Sequence, residues 1–329
     1  MYYLDSASMD PAWNLALEQF VFDQLGPRED CFMLWQNDRT IVVGKYQNVL
    51  EEINSTYVKE HGITVVRRLS GGGAVYHDRG NLNFTFVARD CQGGMIDFSS
   101  FCRPVVDALR EMGVPAQING RNDMTIDGQK FSGNSQYLKE GRVMHHGTIM
   151  FDSNLDLVAQ ALHVDQEKIR AKGIASVRSR VTTVRRHMAS PVTLEEFRSL
   201  LLREILEQQP GDEYVFTEED KAQIAQLRAE RYATWEWNYG QSRDCEMRRQ
   251  RRFPACGSVE VHLTTDHGVI QDLHFTGDFF SVVEPEVLAE KLRGVRLEEQ
   301  SLRAALADET VSRYFSGLEN GELIELLLS

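Results

Sequence analysis

The stretch Arg67-Arg68-Leu69-Ser70-Gly71-Gly72-Gly73-Ala74-Val75-Tyr76-His77-Asp78-Arg79-Gly80-Asn81-Leu82-Asn83-Phe84-Thr85-Phe86 leads from a β-branched run at Ile63–Val66 to a strand-like run at Leu82–Val87. Three adjacent glycines carry no Cβ, so a ligand can lie against the backbone and meet its amides. Two arginines just before them offer fixed charge and forked donors suited to carboxylate or phosphate. An anion held beside exposed backbone is the chemistry this combination serves. Neither GxxxxGK[ST] nor GxGxxG is present, so the loop is not a common phosphate-loop pattern. A flexible glycine turn between solvated arginines is the plainer reading of the same residues.

Outward from this loop, mixed helices and strands joined by hairpin signals predict an α+β fold rather than a regular parallel βαβ sheet. Asp10-Pro11 reads as a helix N-cap and first helical residue. Trp13, Ala16, Leu17, Phe20 and Val21 continue one apolar face to about Asp23. Cys31–Trp35 and Thr40–Gly44 read as strands, Val49–Glu60 as one helix ending at Gly62, and Phe98–Met112 as a helix stopped by Gly113. Strands are expected at Met124–Ile126, Phe131–Leu138 and Arg142–Phe151, with Asp127-Gly128 as a hairpin turn. Helices follow at Asn154–Leu162, Asp165–Ala171 and Thr193–Leu206.

A polar stretch over 208–217, containing Pro210-Gly211, predicts two domains, 1–210 and 218–329, with the boundary anywhere in 208–235. The second half predicts a helix at Glu218–Glu230, strands at Gly257–Thr264 and Val269–Thr276, and helices at Pro285–Leu292, Glu298–Ala307 and Asn320–Leu328.

A second polar segment, GRNDMTIDGQKFSGN (120–134), places Lys130 after the hairpin turn, its side chain opposite Phe131 and alongside Ser132. A lone lysine is usually solvated. The sharper reading is a point charge that grips an acid and the phosphate it attacks. In His145-His146-Gly147-Thr148 the histidines point to opposite faces of a strand, which suits a pocket wall better than one metal. Residues 173–181, GIASVRSRV, form a basic loop. Arg248-Arg249-Gln250-Arg251-Arg252 reads as a solvated face that an acidic partner could dock on.

Bulk properties exclude several classes. A net charge of −13 argues against general nucleic-acid binding. No run of about 18 apolar residues could span a membrane, and the first residues lack the pattern of a secretory signal, so a cytoplasmic protein is expected. The five cysteines, Cys31, Cys91, Cys102, Cys245 and Cys256, have no CxxC spacing, which argues against a disulfide framework or zinc site.

The order RRLSGGGAVYHDRGNLNFTF, GRNDMTIDGQKFSGN, HHGTIMF, KGIASVRSRV and then WEWNYGQS at 235–242 resembles the lipoate–protein ligase family over nearly the whole chain. The resemblance implies a catalytic domain like the class II aminoacyl-tRNA synthetase and biotin ligase core, followed by a smaller α+β C-terminal accessory domain. It implies ATP and Mg²⁺ as cofactors, lipoate as substrate, and activation to lipoyl-AMP before transfer to a carrier lysine. The carriers it implies are lipoyl-domain proteins, the glycine-cleavage H protein or the E2 subunits of 2-oxoacid dehydrogenases.

By motif, Lys130 corresponds to the lysine that contacts lipoate and adenylate. Arg68, Gly73, Ala74, Val75 and Tyr76 correspond to ATP-binding positions. Ser70, Gly71, Gly72, His77 and Asn81 are expected to line the same pocket, Asn122 and Asp123 to approach the nucleotide, and Asp123 to help hold Mg²⁺. The turn before Lys130 is shorter than the family's. A monomer is expected. A cysteine-dependent acyltransferase of the same superfamily competes poorly, because Ile118-Asn119-Gly120-Arg121 carries no cysteine. A biotin ligase lacks its GRGRxGR loop here, and a non-catalytic lipoate binder is the remaining alternative.

Overall fold

The computed structural model describes residues 1–89, 96–162, 180–239 and 247–329. The expected helix Asp165–Ala171, Cys91, Cys245, residues 173–179 and residues 240–242 lie outside that set. The strands in chain order are β1 (Tyr2–Asp5), β2 (Cys31–Trp35), β3 (Thr40–Val43), β4 (Thr64–Arg67), β5 (Val75–His77), β6 (Asn81–Arg89), β7 (Ala116–Asn119), β8 (Asp123–Ile126), β9 (Gln129–Lys139), β10 (Arg142–Met150), β11 (Asp212–Glu213), β12 (Met247–Phe253), β13 (Gly257–Asp266) and β14 (Val269–Gly277).

Eight of them form one sheet in the order β11-β1-β2-β6-β10-β9-β8-β7. The pairs β1/β11 and β1/β2 are parallel, and the others are antiparallel hairpins or near neighbours. The Asp127-Gly128 turn has φ +49° and +78°, the two left-handed residues that a tight hairpin between twisted strands requires. Strand β2 is apolar at every position because both faces are covered. Phe32 and Leu34 meet the helices Ser99–Glu111 and Leu194–Gln208 through Cys102, Val105, Leu109, Phe197 and Leu201. Met33 and Trp35 meet Leu15, Leu17 and Phe20 of the helix Pro11–Phe20. That helix starts where expected: the Asp10 carboxylate accepts the Ala12 amide at 2.9 Å.

The expected helix Val49–Glu60 is two, Val49–Glu52 and Ser55–Glu60. Ile53 leaves the helical path to bridge Leu162, and Asn54 caps the second helix through the Tyr57 amide. A smaller sheet, β4-β3-β5, carries the glycine loop between its outer strands.

The polar stretch 208–217 contains β11, paired to β1. The helix Glu218–Leu227 and the turn after it place Ile224 and Tyr232 in the same apolar cluster as Leu15 and Phe20. Trp237 and Asn238 join the same unit through the bonds that Arg67 makes to their carbonyls. The second unit is the sheet β12-β13-β14, whose inner face packs on the helices Pro285–Leu292, Glu299–Ala305 and Asn320–Leu328. The basic run 248–252 is strand β12. Arg248 pairs with Glu260, Arg251 with Glu325 and Arg252 with Asp278, while Phe253 enters the core. Among the described residues no helix is long and apolar enough to cross a membrane.

Candidate active site

The loop from Arg68 to Ala74 is held from inside by the two arginines. Arg67 is fully buried and donates to the carbonyls of Gly44, Lys45, Gln47, Trp237 and Asn238 at 2.8 to 3.0 Å. Arg68 donates to the carbonyls of Val42, Gly71 and Gly73 and to the Ser70 hydroxyl. Burial pushes both guanidinium groups down to about 10, so both remain cations at neutral pH. With the loop carbonyls turned inward to these cations, the backbone at Gly73 opens outward, where a Cβ would meet nothing within 4 Å.

Arg68, Gly72, Gly73, Ala74, Val75, His77, Asn122 and Lys130 line one cavity between the small sheet and the large one. It holds about 620 Å³ of empty space including its open mouth, a size that accommodates a ligand. Ser70, Gly71, Tyr76 and Asn81 do not line it. Ser70, Tyr76 and Asn81 are buried behind the wall, Tyr76 packing with Ile41 and Val65 on the far face of the small sheet. Asp123 stands at its edge and pairs with the Lys130 ammonium at 2.7 Å. Lys130 runs along its own strand over Gly133, where a Cβ would come within 3.2 Å of Nζ. The absence of a side chain at Gly133 is what lets the ammonium reach the cavity. Asn122 and Asn134 bond each other's backbone at 2.7 and 3.0 Å, which fixes the loop before β8 against β9.

Sequence reasoning missed Trp35, Asn83, Asn134, Thr148 and Phe280, which also line the cavity, as does His146, expected in a pocket wall. Period-two alternation finds some of them: on β10, His145 turns toward Phe84, Phe98 and Phe101 while His146 faces the cavity. His146 sits in a directional chain. Its Nδ1–H donates to buried Glu18 at 2.9 Å, and its Nε2 accepts the Ser70 hydroxyl at 2.6 Å. Arg68 donates to the same Ser70 oxygen at 3.1 Å. The constellation has the connectivity of a hydrolytic triad but not its access, because Ser70 is 1% exposed and does not line the cavity. Its effect is to tie the loop to the sheet beneath it.

His77 is held neutral, pushed down to about 3 by burial and by the nearby Arg68 charge. Its Nδ1 accepts from Asn37 at 3.2 Å, which leaves the proton on Nε2, buried without a partner. Among the described residues no group of three or more His, Cys, Asp or Glu side chains could hold a metal. The thiols of Cys31, Cys102 and Cys256 are buried and pushed up to about 12 by burial, so each stays protonated and is a weak nucleophile.

The second unit covers part of this site. The Gly72 amide donates to the Phe279 carbonyl at 3.0 Å, and the Gly277 amide to the Tyr46 carbonyl at 2.8 Å. Tyr46 stacks on Phe279 with centroids 4.8 Å apart, and Glu284 accepts from Lys45 and from the Tyr46 hydroxyl.

A glycine-rich loop, a lysine paired with an aspartate and the cavity between them form one site in an α+β fold. The chain matches the family model "Lipoyl protein ligase A/B catalytic domain" over residues 10–206 and "Bacterial lipoate protein ligase C-terminus" over residues 242–327. It is 42% identical over 331 residues to lipoate-protein ligase LplJ of Bacillus subtilis, covering 99% of this chain and 100% of that one. It is 39% identical to lipoate–protein ligase 1 of Staphylococcus aureus, covering 97% of each. Among solved structures, LipL1 of P. falciparum in complex with lipoate shares the fold, with TM-score 0.81 and 23% identity over 99% of both chains. A lipoate-protein ligase A bound with ATP superposes with TM-score 0.62 at 26% identity, covering 73% of this chain and 99% of that one. The bipartite ligase of Thermoplasma acidophilum, solved in a study of that enzyme and its E2 lipoyl domain, gives 0.64 at 29%, covering 75% and 98%. The chain belongs to the lipoate–protein ligase family.

Proposed function

We propose that this protein uses ATP to activate lipoate as lipoyl-AMP, releasing pyrophosphate, and then passes the lipoyl group to a lysine of a lipoyl-domain carrier. The observation that carries this reading is the Lys130 ammonium, held by Asp123 at 2.7 Å in a cavity that also exposes the Gly73–Val75 backbone. A similar ligase solved with ATP and another with lipoate support the pair of substrates.

In this reading the lipoate carboxylate oxygen attacks the α-phosphorus and the bond to the bridging oxygen of pyrophosphate breaks. Negative charge gathers between two anions, and Lys130 offsets it from a fixed position. Asp123 and the phosphate oxygens suit Mg²⁺, which favours one or two carboxylates plus phosphates and would neutralise charge there. The carrier amine then attacks the acyl carbonyl, the carbon–oxygen bond to AMP breaks, and no enzyme nucleophile is needed. The three protonated thiols weigh against a thioester route. E2 lipoyl domains and the glycine-cleavage H protein are the carriers proposed, in a reducing cytoplasm that suits buried free thiols.

The test is pyrophosphate release from ATP and Mg²⁺ with lipoate, followed by mass analysis of an added lipoyl domain. Release that requires lipoate, then a lipoyl mass gain on the acceptor, is the expected result. Lys130→Ala should lower release by at least about 10²-fold. Near-normal release by that variant would refute the role of Lys130, and acyl transfer without ATP would refute the ligase mechanism.

A further inference from the structure

The helix Pro11–Phe20 buries a carboxylate that no motif of the site includes. Glu18 is 1% exposed, on the helix whose Leu15, Leu17 and Phe20 enter the core. A fully buried glutamate is rare unless donors meet its charge. His146 Nδ1 lies 2.9 and 3.1 Å from its two oxygens, and the Thr85 hydroxyl donates to Oε1 at 2.5 Å. Burial opposes the charge of Arg68, and the Glu18 carboxylate favours it.

Each donor begins an arm that ends on the cavity lining. Through Thr85 the first arm reaches Trp35, whose indole Nε1–H donates to the Thr85 oxygen at 2.9 Å. Through His146 the second reaches Ser70 and then Arg68. Trp35, His146 and Arg68 line the cavity, whereas Glu18, Thr85 and Ser70 do not. The protons along the second arm are fixed from both ends. A guanidinium has no acceptor, so Arg68 Nε donates to the Ser70 oxygen at 3.1 Å and the hydroxyl's own proton points elsewhere. Among the described residues its acceptor is His146 Nε2, at 2.6 Å. That nitrogen is then unprotonated, which leaves the imidazole proton on Nδ1, facing the carboxylate that accepts it.

We propose that Glu18 is a positioning residue for the activation step. By holding the His146 proton on Nδ1 it turns the Ser70 hydroxyl away from Arg68 and so seats the guanidinium on the Gly71 and Gly73 carbonyls; through Thr85 it seats the Trp35 indole. The inference rests on the activation reading above. Glu18 acts only through residues that line the cavity. An amide in its place fits the same space but can donate to Nδ1, which lets the proton move to Nε2, as happens when the carboxylate partner of a catalytic histidine is changed to an amide. N–H groups of His146 and Arg68 would then converge on the Ser70 oxygen, and the hydroxyl proton would lose its acceptor.

The experiment joins a tautomer measurement to a mutant cycle on the full chain. Imidazole nitrogen NMR, with His146 assigned through His146→Gln, should show the proton on Nδ1 in the wild type and on Nε2 in Glu18→Gln. In lipoate-dependent pyrophosphate release, Glu18→Gln and Ser70→Ala should each lower kcat/KM for ATP by about tenfold or more. The double variant should be no worse than the poorer single one, since both changes act on one arm. Thr85→Val cuts the other arm, so its loss should multiply with that of Ser70→Ala while the His146 signal stays as in the wild type. A purely structural role for Glu18 would lower the melting temperature, leave kcat/KM of the folded variant within about threefold, and overturn the proposal. A wild-type proton on Nε2, or losses from Glu18→Gln and Ser70→Ala that multiply, would overturn it as well. If Glu18→Gln does not fold, the wild-type tautomer decides together with Ser70→Ala and Thr85→Val. A proton on Nδ1 with two multiplying losses then supports the proposal, and losses within about threefold overturn it. No lipoate-dependent release from the wild type would instead refute the activation reading, and this inference with it.

Discussion

Gly44→Ala adds one methyl group at a place where the structure leaves no room. Gly44 follows β3, its amide donating to the Gln47 side chain at 2.8 Å and its carbonyl accepting from Arg67. A Cβ built there lies 2.0 Å from the Gly72 carbonyl oxygen and 3.2 Å from Arg68 Nη2. Real Cβ atoms essentially never approach closer than 3.0 Å, so the glycine loop must retreat by about 1 Å. On its other side the loop meets the second unit: the Gly72 amide bonds the Phe279 carbonyl, and a Cβ on Gly71 would be 2.2 Å from that same oxygen. The loop is therefore clamped between backbone on both sides, and the strain falls on its own geometry. Misplacing a positioning element by about 1 Å costs on the order of 10²-fold in rate, or about 2.7 kcal/mol of barrier. The assay is kcat/KM for ATP from lipoate-dependent pyrophosphate release, with a melting curve on the same sample. Gly321→Ala serves as the control, since a Cβ there meets nothing within 4 Å and the residue lies in the helix Asn320–Leu328. It should keep full activity and shift stability by less than about 1 kcal/mol. A folded Gly44→Ala enzyme with kcat/KM within about threefold of wild type would refute the claim that this loop's position sets the rate.

Two other outcomes follow from groups that the site buries. Arg67→Met removes five donations to backbone carbonyls, three from the Gly44–Gln47 turn and two from Trp237 and Asn238, and should cost about 3–5 kcal/mol by urea unfolding; a loss under about 1 kcal/mol would show that the guanidinium is not what joins these segments. His77 is neutral when folded, pushed down to about 3, and near 6.5 when unfolded, so its contribution is fully present above pH 6.5 and fades as pH falls toward 3. His145, pushed well below its ordinary value by burial, acts in the same direction. Stability should therefore fall as pH drops from about 6.5 to 4, and His77→Gln should flatten that slope by about one proton; an ordinary imidazole titration of His77 near pH 6.5 by NMR would contradict it.

The fold was legible wherever one face pattern or one turn decided the structure. Asp10-Pro11, Asp127-Gly128 and the alternation around His145-His146 depend on neighbours a few residues away, and the structure follows them. The sequence was misleading where distant groups decide. Arg67 looks like an exposed anion binder because nothing local reveals the carbonyls of Trp237 and Asn238 some 170 positions later. Strand β12 is the solvated basic face the sequence suggested, with Arg248, Gln250, Arg251 and Arg252 exposed, but the carboxylates that pair with it, Glu260, Asp278 and Glu325, arrive from other elements and could not be foreseen. Within the site, Lys130 and the loop from Gly72 to Val75 were readable by motif. Phe280 was not, since an aromatic pair after a strand has many uses and only tertiary packing sets it beside Gly72.

The inward turn of both arginines bears on how a chain of net charge −13 holds two anionic substrates. A guanidinium reaching into the cavity would bind phosphate directly, but as a long side chain it would lose rotamer freedom on binding. Here the same charge is fixed before any ligand arrives. Arg68 holds the Gly71 and Gly73 carbonyls, Ser70 and His146 hold Arg68 in turn, and Glu18 partly balances the buried cation. The ordering cost falls at folding rather than at binding, which is what a positioned electrostatic site requires. Lys130, which lines the cavity together with Arg68, is held by Asp123 on the strand alongside. The arrangement makes the loop's shape, more than the number of its charges, the quantity on which activity depends, and it is why a single methyl at Gly44 should matter as much as the loss of a charged side chain.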